Sequence, residues 1–256
     1  MKYIIYFGLM ISLILLLVAC GSEDSDTSGN SDSNAYTVGV DVTYPPFEFQ
    51  EDGEMKGIDI DLIHAIAEDQ GFEVKIEAMD FSGIIPAMQA GELDIGMGGM
   101  SITEERKETV DFSDPYFESG LSLVIASDNT EINSIEDLEG KIIAVKNGTT
   151  GAKFAADNQG DYGYEIIQVK DSTSMFQEVA NGNADALLED YPVIMYAIAT
   201  SDLELKVAGD KLNGDNYGIS VLKGKNDDLL QKINDGLANL RENGKYDEII
   251  DKYLGE

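Results

Sequence analysis

The sequence predicts an α/β fold built from two parallel sheets covered by helices, and three observations predict it. From Tyr36 onward, short apolar runs alternate with segments of helical periodicity, the pattern of strand–helix–strand units. The alternation is broken once, at Asp114-Pro115-Tyr116-Phe117-Glu118-Ser119-Gly120, after which a strand follows directly, as at a crossover between sheets. The chain has 256 residues and one cysteine, so apolar burial and not a disulfide framework must hold it together.

Taken in order, the predicted strands are Tyr36–Val40, Glu73–Glu77, Asp94–Met97, Leu121–Ala126, Lys141–Val145, Glu165–Val169, Ala184–Leu188 and Tyr217–Val221. Between the first two, Ile58, Leu62, Ile63, Ile66 and Ala67 recur at helical spacing up to Gly71. Ser82 is placed to cap a helix reaching Ala90, with Pro86 tolerated in its first turn. Ser134 and Asp137 have capping-box spacing, closed by Gly140. A helix runs from Ser172 to Gly182, another begins near Pro192, the longest spans Asn226–Asn243, and a short one covers Tyr246–Tyr253. No internal repeat and no Walker-type phosphate loop is present, and Gly96-Met97-Gly98-Gly99 lacks the spacing of a dinucleotide fingerprint.

The first 34 residues stand outside this pattern. Lys2 followed by apolar Ile4–Val18 reads as a signal peptide over residues 1–19, too short for a comfortable span. Leu17-Val18-Ala19-Cys20-Gly21 resembles a bacterial lipobox, which makes Cys20 the lipidated (palmitate-type) N-terminus of an exported protein on the outer face of a Gram-positive membrane. Residues 20–34 read as a flexible acidic tether. The net charge of −32 gives no basic face for phosphates, which excludes a nucleic-acid partner.

Three places carry candidate chemistry. Asp41, Tyr44 and the Pro45–Pro46 pair follow the first strand, where open parallel sheets bind ligands; Phe47 and Phe49 read as core. Gly98 and Gly99 permit close approach to backbone carbonyls, Ser101 offers a hydroxyl, and Thr103 can cap a helix that has Arg106 in its first turn. A cation there opposes the helix dipole unless an anion lies between, and a guanidinium matches a carboxylate in two hydrogen bonds; a surface ion pair with Glu105 or Asp111 is the plainer alternative. Lys146, Thr149 and Thr150 lie in a Gly-containing turn before a helix start, which presents N–H groups to an anion, and Glu189 and Asp190 follow a strand. Asp190 can receive an ammonium or cap the helix near Pro192. An anion clamp in one half and an ammonium acceptor in the other suit a zwitterion.

Asp80-Phe81-Ser82-Gly83-Ile84-Ile85-Pro86-Ala87, Ser101-Ile102-Thr103-Glu104-Glu105-Arg106-Lys107 and Asp111-Phe112-Ser113-Asp114-Pro115-Tyr116 resemble the polar amino-acid-binding proteins of ABC importers (solute-binding protein family 3), most nearly the bacterial glutamine-binding proteins. The resemblance covers Tyr36 to Leu254 and implies a two-lobed periplasmic-binding fold of type II, each lobe a sheet flanked by helices, joined by two hinge strands. It implies lobe one at residues 36–115 and 219–256, lobe two at 121–213, and hinges at 116–120 and 214–218. It implies that Arg106 and Ser101 hold a ligand α-carboxylate with N–H groups around Thr149 and Thr150. Asp190 and the Gly99 carbonyl would receive the α-ammonium, Tyr44 and Phe81 would sandwich the side chain, and Asp41 and Lys146 would meet its polar end. The implied partners are an ABC permease with its ATPase; the protein is expected to be a monomer without cofactor, metal or catalytic activity.

The chain departs from the glutamine-binding pattern at Glu189, where histidine is expected, at Tyr44 for phenylalanine and at Thr150 for glycine. Asp41 with Glu189 could suit a guanidinium or ammonium side chain, whereas Lys146 would repel one. An amide can donate to Asp41 and accept from Lys146, so glutamine is the first expectation and arginine or lysine the second. An enzyme on the same fold is the remote alternative, since the acids have ligand-binding assignments and the single histidine, His64, lies mid-helix away from the motifs.

Overall fold

The computed structural model describes residues 34–255. The expected signal peptide, lipidated Cys20 and most of the tether lie outside them. Asn34, assigned to the tether, is already part of the fold: its carbonyl accepts from the Glu73 amide at 2.7 Å.

The elements in chain order are β1 (Ala35–Val40), β2 (Thr43–Tyr44), β3 (Glu48–Glu51), β4 (Glu54–Lys56), α1 (Ile58–Gln70), β5 (Glu73–Ala78), α2 (Ile84–Ala90) and β6 (Ile95–Gly96). Next come α3 (Glu104–Lys107), β7 (Val110–Phe112), β8 (Phe117–Ser119), β9 (Leu121–Ala126), β10 (Ile142–Lys146), α4 (Thr150–Tyr162), β11 (Glu165–Val169), α5 (Ser172–Ala180) and β12 (Ala186–Asp190). The chain closes with α6 (Tyr191–Thr200), β13 (Leu205–Ala208), β14 (Asp215–Tyr217), β15 (Ser220–Leu222), α7 (Asp227–Glu242) and α8 (Lys245–Leu254).

Two five-stranded sheets give the molecule its two lobes, ordered β5-β1-β6-β15-β7 and β11-β10-β12-β9-β13. β1 is parallel to β5 and β6, and β10 to β11 and β12. The expectation of purely parallel sheets is corrected: β15, and in the other sheet β9, run antiparallel to both neighbours. Each of these strands follows a crossing between the sheets and not a helical crossover, so nothing turns it parallel. The crossings are β8 and β14, which pair antiparallel with Tyr217 opposite Phe117.

Helices cover both faces, which is why the central strands read as unbroken apolar runs. In β10, Ile143 and Val145 join a core with Leu123, Ile125 and Leu188, while Ala144 faces a second layer with Leu187, Met175 and Val193. On α1, Ile58, Leu62, Ile63 and Ile66 are wholly buried, each contributing about 1.5–3 kcal/mol of burial. Gly71 ends this helix in the left-handed conformation, φ +69°. Gly236 of α7 lets that helix approach closely: a Cβ there would stand 2.9 Å from Ile66 Cγ2.

Other boundaries moved. The expected strand Tyr217–Val221 is two strands, β14 and β15, because the chain passes from the crossing into the first sheet between them. The strand expected at Ala184–Leu188 begins two residues later and runs through Asp190. Ser82 does not cap α2; a single 3-10 turn, Phe81–Gly83, leads into the helix, and Pro86 occupies its third position. β2–β4, β7 and β13 were not anticipated. His64 is exposed on α1.

Candidate functional site

A small cavity lies between the lobes. Every sequence-predicted ligand residue except Asp41 lines it: Tyr44, Phe81, Gly98, Gly99, Ser101, Arg106, Lys146, Thr149, Thr150, Glu189 and Asp190, together with Leu121, Gly151 and Leu188. Asp41 stands immediately behind and reaches the cavity through Lys146.

Strand ends supply the charges. Asp41 follows β1 and folds back on its own turn, its Oδ1 accepting from Thr43 N at 3.0 Å and Thr43 Oγ1 at 2.7 Å. Its Oδ2 lies 2.6 Å from Lys146 Nζ at the end of β10 in the other lobe, and both side chains are buried. Lys146 Nζ is also 4.6 Å from the Tyr44 ring centre and 5.5 Å from that of Phe81, so the two aromatic walls already carry a cation.

The opposite wall is acidic. Antiparallel pairing sets Asp190 opposite Leu121, next to the β8–β14 crossing. The Tyr217 hydroxyl therefore reaches Asp190 Oδ2 at 2.6 Å, and Tyr44, from the β2–β3 hairpin, donates to the same oxygen at 2.8 Å. Burial first and the Asp190 charge next push both phenols well above their ordinary range, so they stay donors. Burial raises Asp190, while the Tyr217 and Tyr44 hydroxyls oppose the rise. Glu189 is raised to about 7, by burial and then by the Asp190 charge. Its Oε1 accepts from the Asp190 amide at 2.8 Å and Tyr44 at 3.2 Å, whereas its buried Oε2 has no partner. Asp190 makes no side-chain cap to α6, so the anticipated capping role is absent; its carboxylate is bound by the two hydroxyls in the cavity wall.

Arg106 is built in as anticipated, on a short helix capped by Thr103, whose Oγ1 accepts from Arg106 N at 3.2 Å. No ion pair to Glu105 or Asp111 forms; NH1 instead donates to the Ser101 carbonyl at 2.8 Å, and NH2 crosses the cleft to the Gly148 carbonyl at 3.0 Å. Ser101 thus orients the guanidinium through its backbone in addition to any role of its hydroxyl. The guanidinium carbon stands 5.2 Å from the Phe81 ring centre. Facing it, Thr149 caps α4 by accepting from Ala152 N at 3.1 Å, which aims the helix start at the cavity. Gly99, at φ +52°, leaves no room for a side chain: a Cβ would lie 2.5 Å from the Tyr44 ring.

Sequence reasoning missed Tyr217, Glu48 and Asp59. Asp59 accepts from the amides of Gly98 and Gly99 at 3.1 and 3.0 Å and so shapes that turn from behind. Phe47 is core as expected, edge-on to Phe117 and Tyr217; Phe49 packs edge-on to Tyr253.

Residues 36–256 match the bacterial extracellular solute-binding proteins, family 3. The chain is 31% identical over 246 residues to the probable amino-acid-binding protein YxeM of Bacillus subtilis (strain 168), covering 96% of this chain and 92% of that one. It is 32% identical to the glutamine-binding protein GlnH of the same organism, covering 95% and 93%. An ancestral arginine-binding protein solved with arginine superposes with a TM-score of 0.82 at 41% identity, covering 87% of this chain and 99% of that one; an ancestral arginine-binding protein solved with glutamine gives a TM-score of 0.81 at 41% identity, with the same coverage.

Proposed function

Because the chain belongs to family 3 of the bacterial extracellular solute-binding proteins, we propose that it is an extracytoplasmic lipoprotein, exported by residues 1–19 and anchored at Cys20, that captures a polar L-amino acid and hands it to an ABC permease. The observation that carries this reading is the placement of Arg106 and Asp190 in the lining of one cavity between the lobes, complementary to the two ends of a zwitterion. Arg106 with the α4 start takes the α-carboxylate; Asp190 and the Gly99 carbonyl take the α-ammonium; the Tyr44 and Phe81 rings flank the side chain. β8 and β14 serve as the hinge. Contacts made from both lobes exist only when the cleft is shut, so ligand shifts the balance toward closure.

Glutamine remains the first expectation for the side chain. Lys146, fixed between the rings and against Asp41, donates to an amide oxygen and disfavours a second cation. One observation favours the second reading, arginine or lysine: the unpartnered, buried Glu189 Oε2, which a guanidinium or ammonium would satisfy. Calorimetric titration of the purified protein with L-glutamine, L-arginine and L-lysine tests both. On the glutamine reading, Glu189→Gln leaves binding within a few-fold, and affinity changes little across neutrality. On the basic reading, arginine binds more tightly as pH rises through about 7, where Glu189 loses its proton, and Glu189→Gln costs at least tenfold, about 1.4 kcal/mol. Binding of none of the three would end the proposal.

A further inference from the structure

Two carboxyl groups lie beneath the Gly98–Gly99 turn without lining the cavity. Glu48, at the start of β3, is fully buried, and neither of its oxygens has a hydrogen-bond partner. It stands against the turn itself: a Cβ on Gly98 would lie 3.3 Å from Glu48 Oε1. Asp59, second residue of α1, is equally buried but fully used. Its Oδ2 accepts both glycine amides, at 3.1 and 3.0 Å, and its Oδ1 accepts the Tyr116 hydroxyl at 2.8 Å.

An unpartnered buried carboxylate beside another would be prohibitively unfavourable, because both desolvation and like-charge repulsion oppose it. The charged groups facing Glu48 are Asp59 on α1, Asp41 after β1 and Lys146 on β10, and that single cation is already committed to Asp41 at 2.6 Å. Asp59 has three donors and sits in the first turn of a helix, where negative charge is favoured; Glu48 has none. We propose that Glu48 and Asp59 hold one proton between them, carried by Glu48, and that this neutral acid with its ionised neighbour positions the Gly98–Gly99 turn for ligand binding. Burial first, then the Asp59 and Asp41 charges, push Glu48 well above the ordinary carboxylate range, in keeping with this assignment. As an acid, Glu48 can donate to Asp59; as an anion, it repels Asp59 from the glycine amides and turns the Gly99 carbonyl away. Glu48 is thus a positioning residue that never touches the ligand.

The role in binding rests on the amino-acid reading of the cavity; the shared proton does not. The test compares wild type, Glu48→Leu, Glu48→Gln and Asp59→Asn, each as the purified protein titrated with L-glutamine and L-arginine from mildly acidic to alkaline pH. Infrared spectra of the ligand-free proteins are recorded beside them. Glu48→Leu and Asp59→Asn should each weaken the tighter probe about tenfold or more, roughly 1.4 kcal/mol. Wild type should lose affinity at alkaline pH, and Glu48→Gln, a neutral donor of the same shape, should remove that fall and rescue the Leu variant's loss. At neutral pH, in a Glu189→Gln background that removes that acid's own signal, the carbonyl band of an un-ionised carboxylic acid should be present and should disappear when Glu48→Gln is added. Glu48→Gln binding as poorly as Glu48→Leu at every pH, or the Glu189→Gln background lacking that band, would overturn the proposal. Wild type binding neither probe would overturn the amino-acid reading and the positioning role together, while the infrared band still decides where the proton sits.

Discussion

Arg106 is held from three directions: by its capped backbone, by the Ser101 carbonyl and by the Phe81 ring. A side chain so fixed has lost its rotamer freedom before ligand arrives, which favours binding by lowering the ordering cost. Arg106→Lys should therefore fail nearly as badly as Arg106→Ala, because an ammonium cannot reproduce the planar fork. Both should weaken every amino acid by at least tenfold, from the loss of charged hydrogen bonds worth about 1.5–3 kcal/mol each; calorimetry showing Lys at near-native affinity would mean that charge alone suffices. The sequence disclosed this residue because a cation at a helix start breaks a local rule. It could not disclose Tyr217, which looks like any strand aromatic until β14 is paired with β8 and its hydroxyl meets Asp190. Asp59 left a fainter signal, an acid set between Ile58 and Ile60, but at the N-terminus of a helix acids are ordinary.

Among the elements, α4 matters most to the cavity, since its first turn forms part of the wall. Thr149 caps it and also donates to the Lys146 carbonyl at 2.8 Å, tying the helix to the strand that carries the buried lysine. Thr149→Ala should cost about 1 kcal/mol of stability in denaturant unfolding and weaken amino-acid binding several-fold, because the helix start would fray. An unchanged affinity would place the anion contact elsewhere. Long apolar elements such as β9, β10 and α7 were legible because burial on two faces, or on one helical stripe, imposes periodicity. β2–β4, β7 and β13 were not. Two to four residues hold too little alternation to distinguish a strand from a turn, and their pairing is decided by partners far along the chain. The displaced start of β12 has the same origin, since its register is fixed by β9.

At the scale of the whole molecule, acids that prefer to be neutral gather in and behind the cavity wall. Glu189 is raised to about 7 and Glu48 well above its ordinary value, chiefly by burial. A carboxyl raised in the folded state holds a proton that the unfolded chain has released. Its stabilising effect is complete below the ordinary value near 4.5 and is lost as pH rises through the folded value. The ligand-free protein should accordingly lose stability between mildly acidic pH and about 8, by roughly 1–3 kcal/mol from Glu189 alone, and Glu189→Gln should flatten the curve. Thermal melts showing wild type and variant equally dependent on pH would place that proton on another group. Saturating ligand at about a hundred times its Kd should add about 2.7 kcal/mol.

The placement of β15 between β6 and β7 also bears on how the molecule is made. Synthesis runs from the N-terminus, yet β6 and β7 emerge more than a hundred residues before the strand that joins them. The sheet of β9 to β13, by contrast, is drawn from one uninterrupted stretch ending at Ala208. A nascent chain therefore finishes its second sheet while the first still has an open slot, flanked by unpaired strand edges able to recruit foreign strands. The part of the molecule made first is the part completed last, and the growing chain is most exposed to mispairing in the interval before residues 220–222 arrive.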